Sequence, residues 1–230
     1  MSAAYSPNNW FWMKKKYNLG RHGMETIREA SLKLLAAWPH IIAECRQALG
    51  SELYYQAVVY HCLRIYGDVP IGQLGMNVKM WIDNPVSNLF KSLDSRKHKD
   101  FRGGFEPIPD ICLFSSKVGA DWRRRNRETT LSSLLLAIEI KTSERRNGRL
   151  RFGEILADIE KLAAHQQEIV ARGSSFLPVV MIIDTAPEIY ERMTQESINA
   201  SKKSAQDLSV GFMYLSAHSA INTVTVDDFA

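Results

Sequence analysis

The spacing of apolar residues divides the chain into segments with helical and with extended periodicity. Residues 25–50 have helical spacing, and we predict a break at Pro39 because proline lacks the backbone N–H that a helix interior needs. A second helix is predicted over residues 51–66, where Gly67 ends it. Residues 1–20 have no clear period and are predicted to form a loose arm.

Extended spacing predicts strands in the middle and in the second half of the chain. The clearest strand covers residues 131–142, because apolar side chains occupy both of its faces, as is typical of a central strand. Residues 83–107 are polar and basic and contain Gly and Pro, so a long loop is predicted there. Further strands are predicted over residues 77–82, 108–114, 177–185 and 210–217.

Two more helices complete the predicted order of elements. An apolar stripe predicts a helix over residues 153–172, and Pro187 opens another over residues 187–201. The resulting order, α-α-β-β-β-α-β-α-β, predicts an α/β fold whose mixed central sheet has helices on both faces. A length of 230 residues suits one compact domain.

The sequence disfavours several classes of protein. Three cysteines, Cys45, Cys62 and Cys112, lie singly in apolar surroundings, which indicates core residues rather than a disulfide framework or a zinc site. No apolar run is long enough to predict a membrane span, and the first residues lack the layout of a secretory signal, so a cytoplasmic protein is expected. The sequence contains no glycine-rich phosphate loop, which disfavours a nucleotide cofactor.

Basic residues are concentrated in the middle of the chain. From Lys91 to Arg151 there are 15 Lys and Arg against 8 Asp and Glu, whereas the rest of the chain has 14 against 17. A local excess of positive charge favours polyanions such as nucleic acid, and it is equally compatible with solvated loops. The candidate nucleic-acid contacts are Lys97, Lys99, Arg123, Arg124, Arg125, Arg145, Arg146 and Arg149.

Two acidic residues and one lysine are unusual for the strands that contain them. Alternation places Glu139 and Lys141 on the same face of the clearest strand, where burying their charges is costly unless they pair or meet a metal ion. Asp110 follows Pro109 inside a predicted strand, where aspartate is disfavoured. If the two strands pair, the two carboxylates reach one point and repel each other unless a cation lies between them. A salt bridge at a solvated strand end, and an aspartate that caps a turn, stay open as alternatives.

Two further acids lie on predicted helices. Glu52 opens the second helix at one end of a mostly apolar stripe, which makes it a candidate site residue. An acid in a first turn that Ser51 caps also stabilises the helix dipole, and this alternative stays open. Asp158 and Lys161 are three residues apart on the helix 153–172, where they either support the site residues or form an exposed ion pair, and we predict the ion pair.

Four features, in this order, resemble the PD-(D/E)XK nuclease superfamily, which includes restriction endonucleases and Holliday-junction resolvases. They are Glu52 in a helix, Pro109-Asp110, Glu139-Ile140-Lys141 on an apolar strand, and the helix GEILADIEKLAAHQ. The resemblance covers roughly residues 51–185 and implies a restriction endonuclease-like αβββαβ core. That core would lie in a domain over residues 51–230, after an N-terminal arm and helical extension over residues 1–50. The 28 residues between Asp110 and Glu139 are more than many members have, so the pairing of the two strands has to be established.

The resemblance also implies a site and an activity. Asp110, Glu139 and the backbone carbonyl of Ile140 would bind Mg²⁺ or Mn²⁺, and Lys141 would orient or activate the attacking water. Glu52 would hold a second metal or a metal-bound water. The expected activity is that of a DNA endonuclease, and the sequence leaves open whether it acts on RNA instead and whether it forms a homodimer. Two alternatives also stay open: a nucleic-acid-binding module of the same fold without catalysis, and a structural protein in which Glu139 and Lys141 form only a salt bridge.

Overall fold

A computed structural model describes residues 23–144 and 148–226 of the chain. These residues form six α-helices and eight β-strands, with several short 3-10 turns between them. The helices are α1 (Ile27–Cys45), α2 (Glu52–Ile65), α3 (Asn88–Ser95), α4 (Arg127–Ser133), α5 (Phe152–Val170) and α6 (Gln195–Asp207). The strands are β1 (Leu74–Met76), β2 (Ile82–Asp83), β3 (Gly104–Phe105), β4 (Ile111–Phe114), β5 (Leu134–Thr142), β6 (Leu177–Asp184), β7 (Gly211–Ser216) and β8 (Ala220–Asn222).

Six of the strands form one mixed sheet in the order β1-β4-β5-β6-β7-β8. The strands β5, β6 and β7 are parallel, whereas β1, β4 and β8 are each antiparallel to a neighbour. The strands β2 and β3 form a separate two-stranded ribbon. Both faces of β5 and β6 are buried, as expected of central parallel strands covered by helices. The predicted α/β class with a mixed sheet is therefore confirmed.

Helices cover both faces of the sheet. On one face, Leu34 of α1 and Val59 of α2 belong to the same buried cluster as Ile138 and Ile140 of β5. On the other face, apolar residues of α5 and α6 form a cluster with Val180 of β6. Alternation along each strand separates these two sets of side chains.

Helix α1 continues through Pro39, so the predicted break is wrong. A capping box between Thr26 and Glu29 begins this helix. Trp38 and Ile41, on either side of the proline, are both buried against the sheet and α2. A proline inside a helix costs about 3 kcal/mol, and burying two large apolar side chains contributes a comparable amount. Packing therefore outweighs the local preference.

The region between β1 and β4 also differs from the prediction. Asn77 has a φ angle of 52°, which is incompatible with a strand, and of residues 77–82 only Ile82 lies in a strand, as the first residue of β2, so most of the predicted strand is absent. Residues 83–107 contain α3 and the ribbon strand β3 instead of one long loop. The buried carboxylate of Glu168 accepts hydrogen bonds from the backbone N–H groups of Val86 and Ser87, just before α3 begins. A contact between distant residues fixes this helix, which local spacing does not reveal.

Three other elements also differ from the prediction. Residues 127–133, of which 131–133 were predicted to begin the strand, form α4 before β5 begins at Leu134. Helix α6 begins after Thr194, whose side chain accepts the N–H of Ser197, and not at Pro187. Strand β8 was not predicted. The predictions of α2, α5, β6 and β7 are confirmed to within a few residues, and all three cysteines are buried and unpaired. Within the described helices, none is both long and apolar enough to cross a membrane.

Candidate active site

The register of β4 and β5 places Asp110 opposite Glu139. In this antiparallel pair Ile111 is the partner of Ile138. When the same register is continued by one residue beyond the start of β4, Asp110 lies opposite Glu139. Side chains directly opposite each other lie on the same face, about 4.5–5.5 Å apart at Cβ. That face is the α5 side of the sheet, because Ala137 clusters with Ala164 of α5. The two strands pair despite the long connection between them.

Asp110 lies one residue before β4, whereas the sequence predicted it inside a strand. The reason is that its side chain takes over the hydrogen bonding of the strand end. Its Oδ2 accepts the backbone N–H of Ile140 at 2.7 Å, and its Oδ1 accepts the Nε2 of Gln56 at 2.7 Å. The carboxylate is buried and held from two sides. It does not simply cap a turn, as the alternative for this residue supposed.

Gln56 is a site residue that sequence analysis missed. Its side chain is buried on α2, donates to Asp110 and accepts the Nδ2 of Asn77 at 3.1 Å. It therefore fixes one oxygen of Asp110 and the turn after β1 together. In the sequence, the sign of such a role was a glutamine on an otherwise apolar helical stripe, because a buried amide needs hydrogen-bond partners.

Lys141 connects the helices of the two layers at the end of β5. Its half-buried Nζ lies 3.4 Å from Oε2 of Glu52 and 3.4 Å from Oδ2 of Asp158. Glu52 is in the first turn of α2, which Ser51 caps, so it serves both as a favourable charge at the helix start and as a partner of the lysine. The ammonium is thus held between carboxylates from α2 and α5.

Asp158 is buried, so the predicted exposed ion pair with Lys161 is wrong for the aspartate. Its side chain is only 5% exposed, and Oδ1 lies 3.0 Å from Nζ of Lys161. Asp158 lies between Ile155 and Leu162 on the stripe of α5 that faces the sheet, and this pattern was the missed signal. The aspartate therefore joins Asp110 and Glu139 on one face of the sheet.

The acids of this cluster hold their protons more tightly than usual. Burial, together with the charges of Asp110 and Asp158, raises the pKa of Glu139 to about 8, although Lys141 opposes the shift. Burial also raises the pKa of Asp110 to about 6, against the effect of its hydrogen bond from Ile140. Asp110 contributes to the raised pKa of Glu139, as expected of two carboxyl groups that lie close together.

Lys141 is stabilised as an ammonium by the same group of acids. Burial lowers its pKa, but the charges of Asp158, Glu52 and Glu139 together outweigh burial and leave the pKa above its ordinary value. The cluster has four carboxyl groups, those of Glu52, Asp110, Glu139 and Asp158, and two ammonium groups, those of Lys141 and Lys161. With every group ionised, two negative charges are left unbalanced.

Three of the candidate nucleic-acid contacts lie on a loop that adjoins this cluster. Arg123, Arg124 and Arg125 are exposed on the loop before α4, and Arg124 pairs with Glu106 at 2.7 Å. Glu106 and Glu139 line one cavity, so this basic loop adjoins the carboxylate cluster. Arg145 and Arg146 lie outside the described residues.

The other basic candidates are engaged in different ways. Lys97 is half-buried, with Nζ 3.2 Å from Asp94 and 5.4 Å from the centroid of the Trp81 ring. Lys99 is exposed on a short 3-10 turn. Arg149 donates from Nε to the carbonyl oxygen of Tyr190 at 3.0 Å. Lys99 is therefore the most accessible of these three.

Whether a metal ion fits this cluster depends on the ligand atoms that its side chains offer. Within residues 23–144 and 148–226, no group of three or more His, Cys, Asp or Glu side chains is arranged to hold a metal ion. Asp110 and Glu139 supply two carboxylates, which is the number that Mg²⁺ commonly takes from a protein. Backbone oxygen and water would have to complete the coordination. A hard divalent cation with few protein ligands fits the residues, and a zinc site with three side chains does not.

Comparison of this chain with known protein families, with curated proteins and with solved structures finds no match.

Proposed function

We propose that this chain is a divalent-metal-dependent nuclease, most simply a DNA endonuclease with a restriction endonuclease-like core. The observation that carries the proposal is the convergence of Asp110, Glu139 and Lys141 at the open end of β4 and β5. Asp110 comes from a different part of the sequence than the neighbouring Glu139 and Lys141, and the pairing of their strands brings the three into one largely buried polar group. Burying ionisable groups lowers stability, so their convergence at one point is better explained by a function than by folding.

The order of elements supports the proposed core. Helix α2 precedes β1, β4 and β5, which are antiparallel neighbours, and α5 then connects β5 to the parallel strand β6. This is an αβββαβ arrangement, with β2, α3 and β3 inserted between its first two strands. The insertion and the segment before β5 account for the length of the connections.

Asp110, Glu139 and the carbonyl of Ile140 would hold the cation. In a strand, the N–H and C=O of one residue point toward the same neighbour, and the N–H of Ile140 meets Asp110. The carbonyl of Ile140 therefore faces the same side. Each oxygen of Asp110 accepts one hydrogen bond and keeps lone-pair capacity for a further ligand. When bound, Mg²⁺ or Mn²⁺ supplies positive charge against a phosphate and lowers the pKa of water.

Lys141 would donate to the reacting phosphate or to the attacking water. Its position between Glu52 and Asp158 keeps it charged and limits its movement, which orients the ammonium at the strand end. Glu52 is exposed enough to contact solvent and can also accept a proton or bind a water near the cation. Asp158 holds Lys141 from the other side.

The proposal is tested by incubating supercoiled plasmid with the protein and Mg²⁺ or Mn²⁺. We expect the unaltered chain to nick the plasmid, and Asp110→Asn, Glu139→Gln and Lys141→Met each to lower the rate by about 100-fold or more. Lys203→Met is the matched control, because Lys203 pairs with Asp207 on the exposed surface of α6, and it should cleave normally. Cleavage that survives Glu139→Gln would show a contaminating nuclease or a different site.

Calorimetry with Mn²⁺ separates the alternatives. We expect binding to the unaltered chain and to Lys141→Met, and loss of binding in Asp110→Asn. If Mn²⁺ does not bind, the cluster is a structural salt bridge. If DNA binds and Mg²⁺ or Mn²⁺ produces no cleavage, the chain is a nucleic-acid-binding module of the same fold.

A further inference from the structure

A cavity of about 200 Å³ lies beside Glu139. It is enclosed by α3, by strand β3 and the segment leading to β4, and by α5. Asp158, Lys161 and His165 of α5 line one side of it. Since Glu139 belongs both to this wall and to the proposed metal site, a group in the cavity lies next to a phosphate at that site.

The walls of the cavity combine flat apolar surfaces with polar groups. Phe90 and Phe105 are stacked, with ring centroids 4.2 Å apart, and Pro107 and Ile108 continue the apolar side. Pockets for drug-sized ligands occupy about 300–1,000 Å³. A cavity of 200 Å³ therefore suits a single ring system and is too small for a whole nucleotide.

His165 lines the cavity and has a buried ring nitrogen that lacks a partner. The residue is buried, and its Nε2 has no hydrogen-bond partner within the part of the chain that the structure describes. Burial lowers the pKa of His165 to about 3, so the imidazole is neutral at pH 7, with one donor and one acceptor nitrogen. A buried polar atom without a partner costs about 1–3 kcal/mol, and a ligand atom recovers this only if the His165 ring turns toward the cavity, because Nε2 has almost no exposed surface.

The charges around the cavity limit what can enter it. The acids Glu106, Glu139 and Asp158 line the cavity together with one basic residue, Lys161, so the lining does not suit the phosphate itself. A neutral flat ring with N–H donors and ring acceptors matches the aromatic wall, the carboxylates and the imidazole together. Outside the cavity, Glu106 holds Arg124 near its edge, where neighbouring phosphates would pass.

We propose that this cavity takes one nucleobase of the substrate strand, next to the phosphate that is cut. The inference rests on the proposed nuclease function and specifies its substrate. A base can enter the cavity only when it has left the stack of the double helix, which costs least at a mismatch or in a single strand. The enzyme therefore acts preferentially on nucleic acid with an unpaired nucleotide beside the scissile bond.

Three oligonucleotides that differ at one position test the proposal. One is fully paired, one has a mismatched base at that position, and one has an abasic sugar there, which is equally flexible but has no ring. We expect the unaltered chain with Mg²⁺ to cut the mismatched DNA about tenfold faster than either of the others, as one stacked base would allow. Equal rates for the mismatched and abasic DNA would overturn the proposal, because flexibility alone would then explain the preference.

The variant Ile108→Trp obstructs the cavity without entering the charged cluster. Ile108 lines the cavity and is 43% exposed, so the larger side chain can be accommodated at the mouth with little effect on folding. We expect the variant to lose the preference for the mismatched base, and its Mn²⁺ affinity, measured by calorimetry, reports whether the charged cluster is still formed. If Mn²⁺ binding and cleavage occur but the preference survives in the variant, only the base site is refuted. If the unaltered chain neither binds Mn²⁺ nor cleaves DNA, the result refutes the proposed nuclease function itself, and the base site with it.

Discussion

At the scale of single residues, the notable feature is the carboxyl group of Glu139, at a position where an apolar side chain would make the protein more stable. Glu139 continues the face of β5 that Leu135 and Ala137 begin, and it lies beside Asp110 and Asp158. Burial disfavours its charged form, and the two neighbouring acids add to that effect. Without a cation, the folded protein therefore favours the protonated glutamate.

This leads to a prediction about stability and pH in the absence of metal. The pKa of Glu139 is about 8 in the folded protein and about 4.5 when the chain is unfolded, so the folded state binds the proton more tightly. The resulting stabilisation is complete below about pH 4.5 and is lost as pH rises to about 8. Glutamine cannot ionise, so the variant Glu139→Gln does not lose this stabilisation as pH rises. We therefore expect its Tm at pH 8.5 in EDTA to exceed that of the unaltered chain by a few degrees.

The comparison needs a second pH and a control variant. At pH 4.5 Glu139→Gln and the unaltered chain should have similar Tm values by differential scanning fluorimetry, because both then have an uncharged side chain. Glu160→Gln, an exposed change on the same helix as Asp158, should leave Tm unchanged at both pH values. A lower Tm for Glu139→Gln at pH 8.5 would contradict the assigned pKa.

At the scale of elements, α3 depends on a residue from a different helix. The carboxylate of Glu168 on α5 is fully buried, accepts the N–H groups of Val86 and Ser87 and pairs with Arg172 at 2.8 Å. These N–H groups belong to the start of α3, which is short and gains little from its own hydrogen bonds. Since Phe90 of α3 lines the proposed base cavity, this contact also supports the shape of the candidate site.

Removal of the Glu168 carboxylate should therefore loosen α3. We expect Glu168→Ala to lower the free energy of unfolding by about 2–4 kcal/mol in urea, because two N–H groups and a guanidinium lose their buried partner. Hydrogen exchange should be faster for the amides of residues 88–95 in particular. Glu168→Gln keeps one acceptor oxygen and should lose less. Unchanged exchange in α3 would show that the helix is held by Phe90 alone.

At the scale of the whole molecule, the excess of basic residues between Lys91 and Arg151 gives the chain an uneven charge. The arginines at 123–125 are exposed, and among the described residues they pair with acids that are themselves partly exposed, Asp121 and Glu106. Such pairs contribute little, about 0–1 kcal/mol, so a phosphate can replace the carboxylate at small cost. The loop is therefore suited to contact a nucleic-acid backbone.

The salt dependence of DNA binding tests this interpretation. Each phosphate contact that is lost should reduce the slope of log K against log salt by about 0.9. We expect replacement of Arg123, Arg124 and Arg125 by alanine to reduce the slope by about 2–3, measured by anisotropy of a labelled duplex in EDTA. The double change Lys202→Ala and Lys203→Ala on α6 is the control and should leave the slope almost unchanged. A slope unaffected by the triple change would exclude this loop from the interface.

The sequence by itself determined the features that depend on local spacing. The period of apolar residues was enough to predict α2, α5, β6 and β7, the α/β class, and the burial of the three cysteines. Alternation alone put Glu139 and Lys141 on one face of a central strand. Unusual residue types then marked Asp110 and Glu52 as worth attention.

Only the tertiary structure decided which of these residues meet. The register of β4 against β5 brings Asp110 opposite Glu139 across 28 intervening residues, and the packing of α5 turns Asp158 toward them. Gln56 joins the group because α2 crosses the end of the same strands. Helix α1 continues through Pro39 because burial of its neighbours outweighs the local cost. Local periodicity describes the faces of single elements, whereas the contacts between distant elements depend on strand register and packing, which no short window of sequence contains.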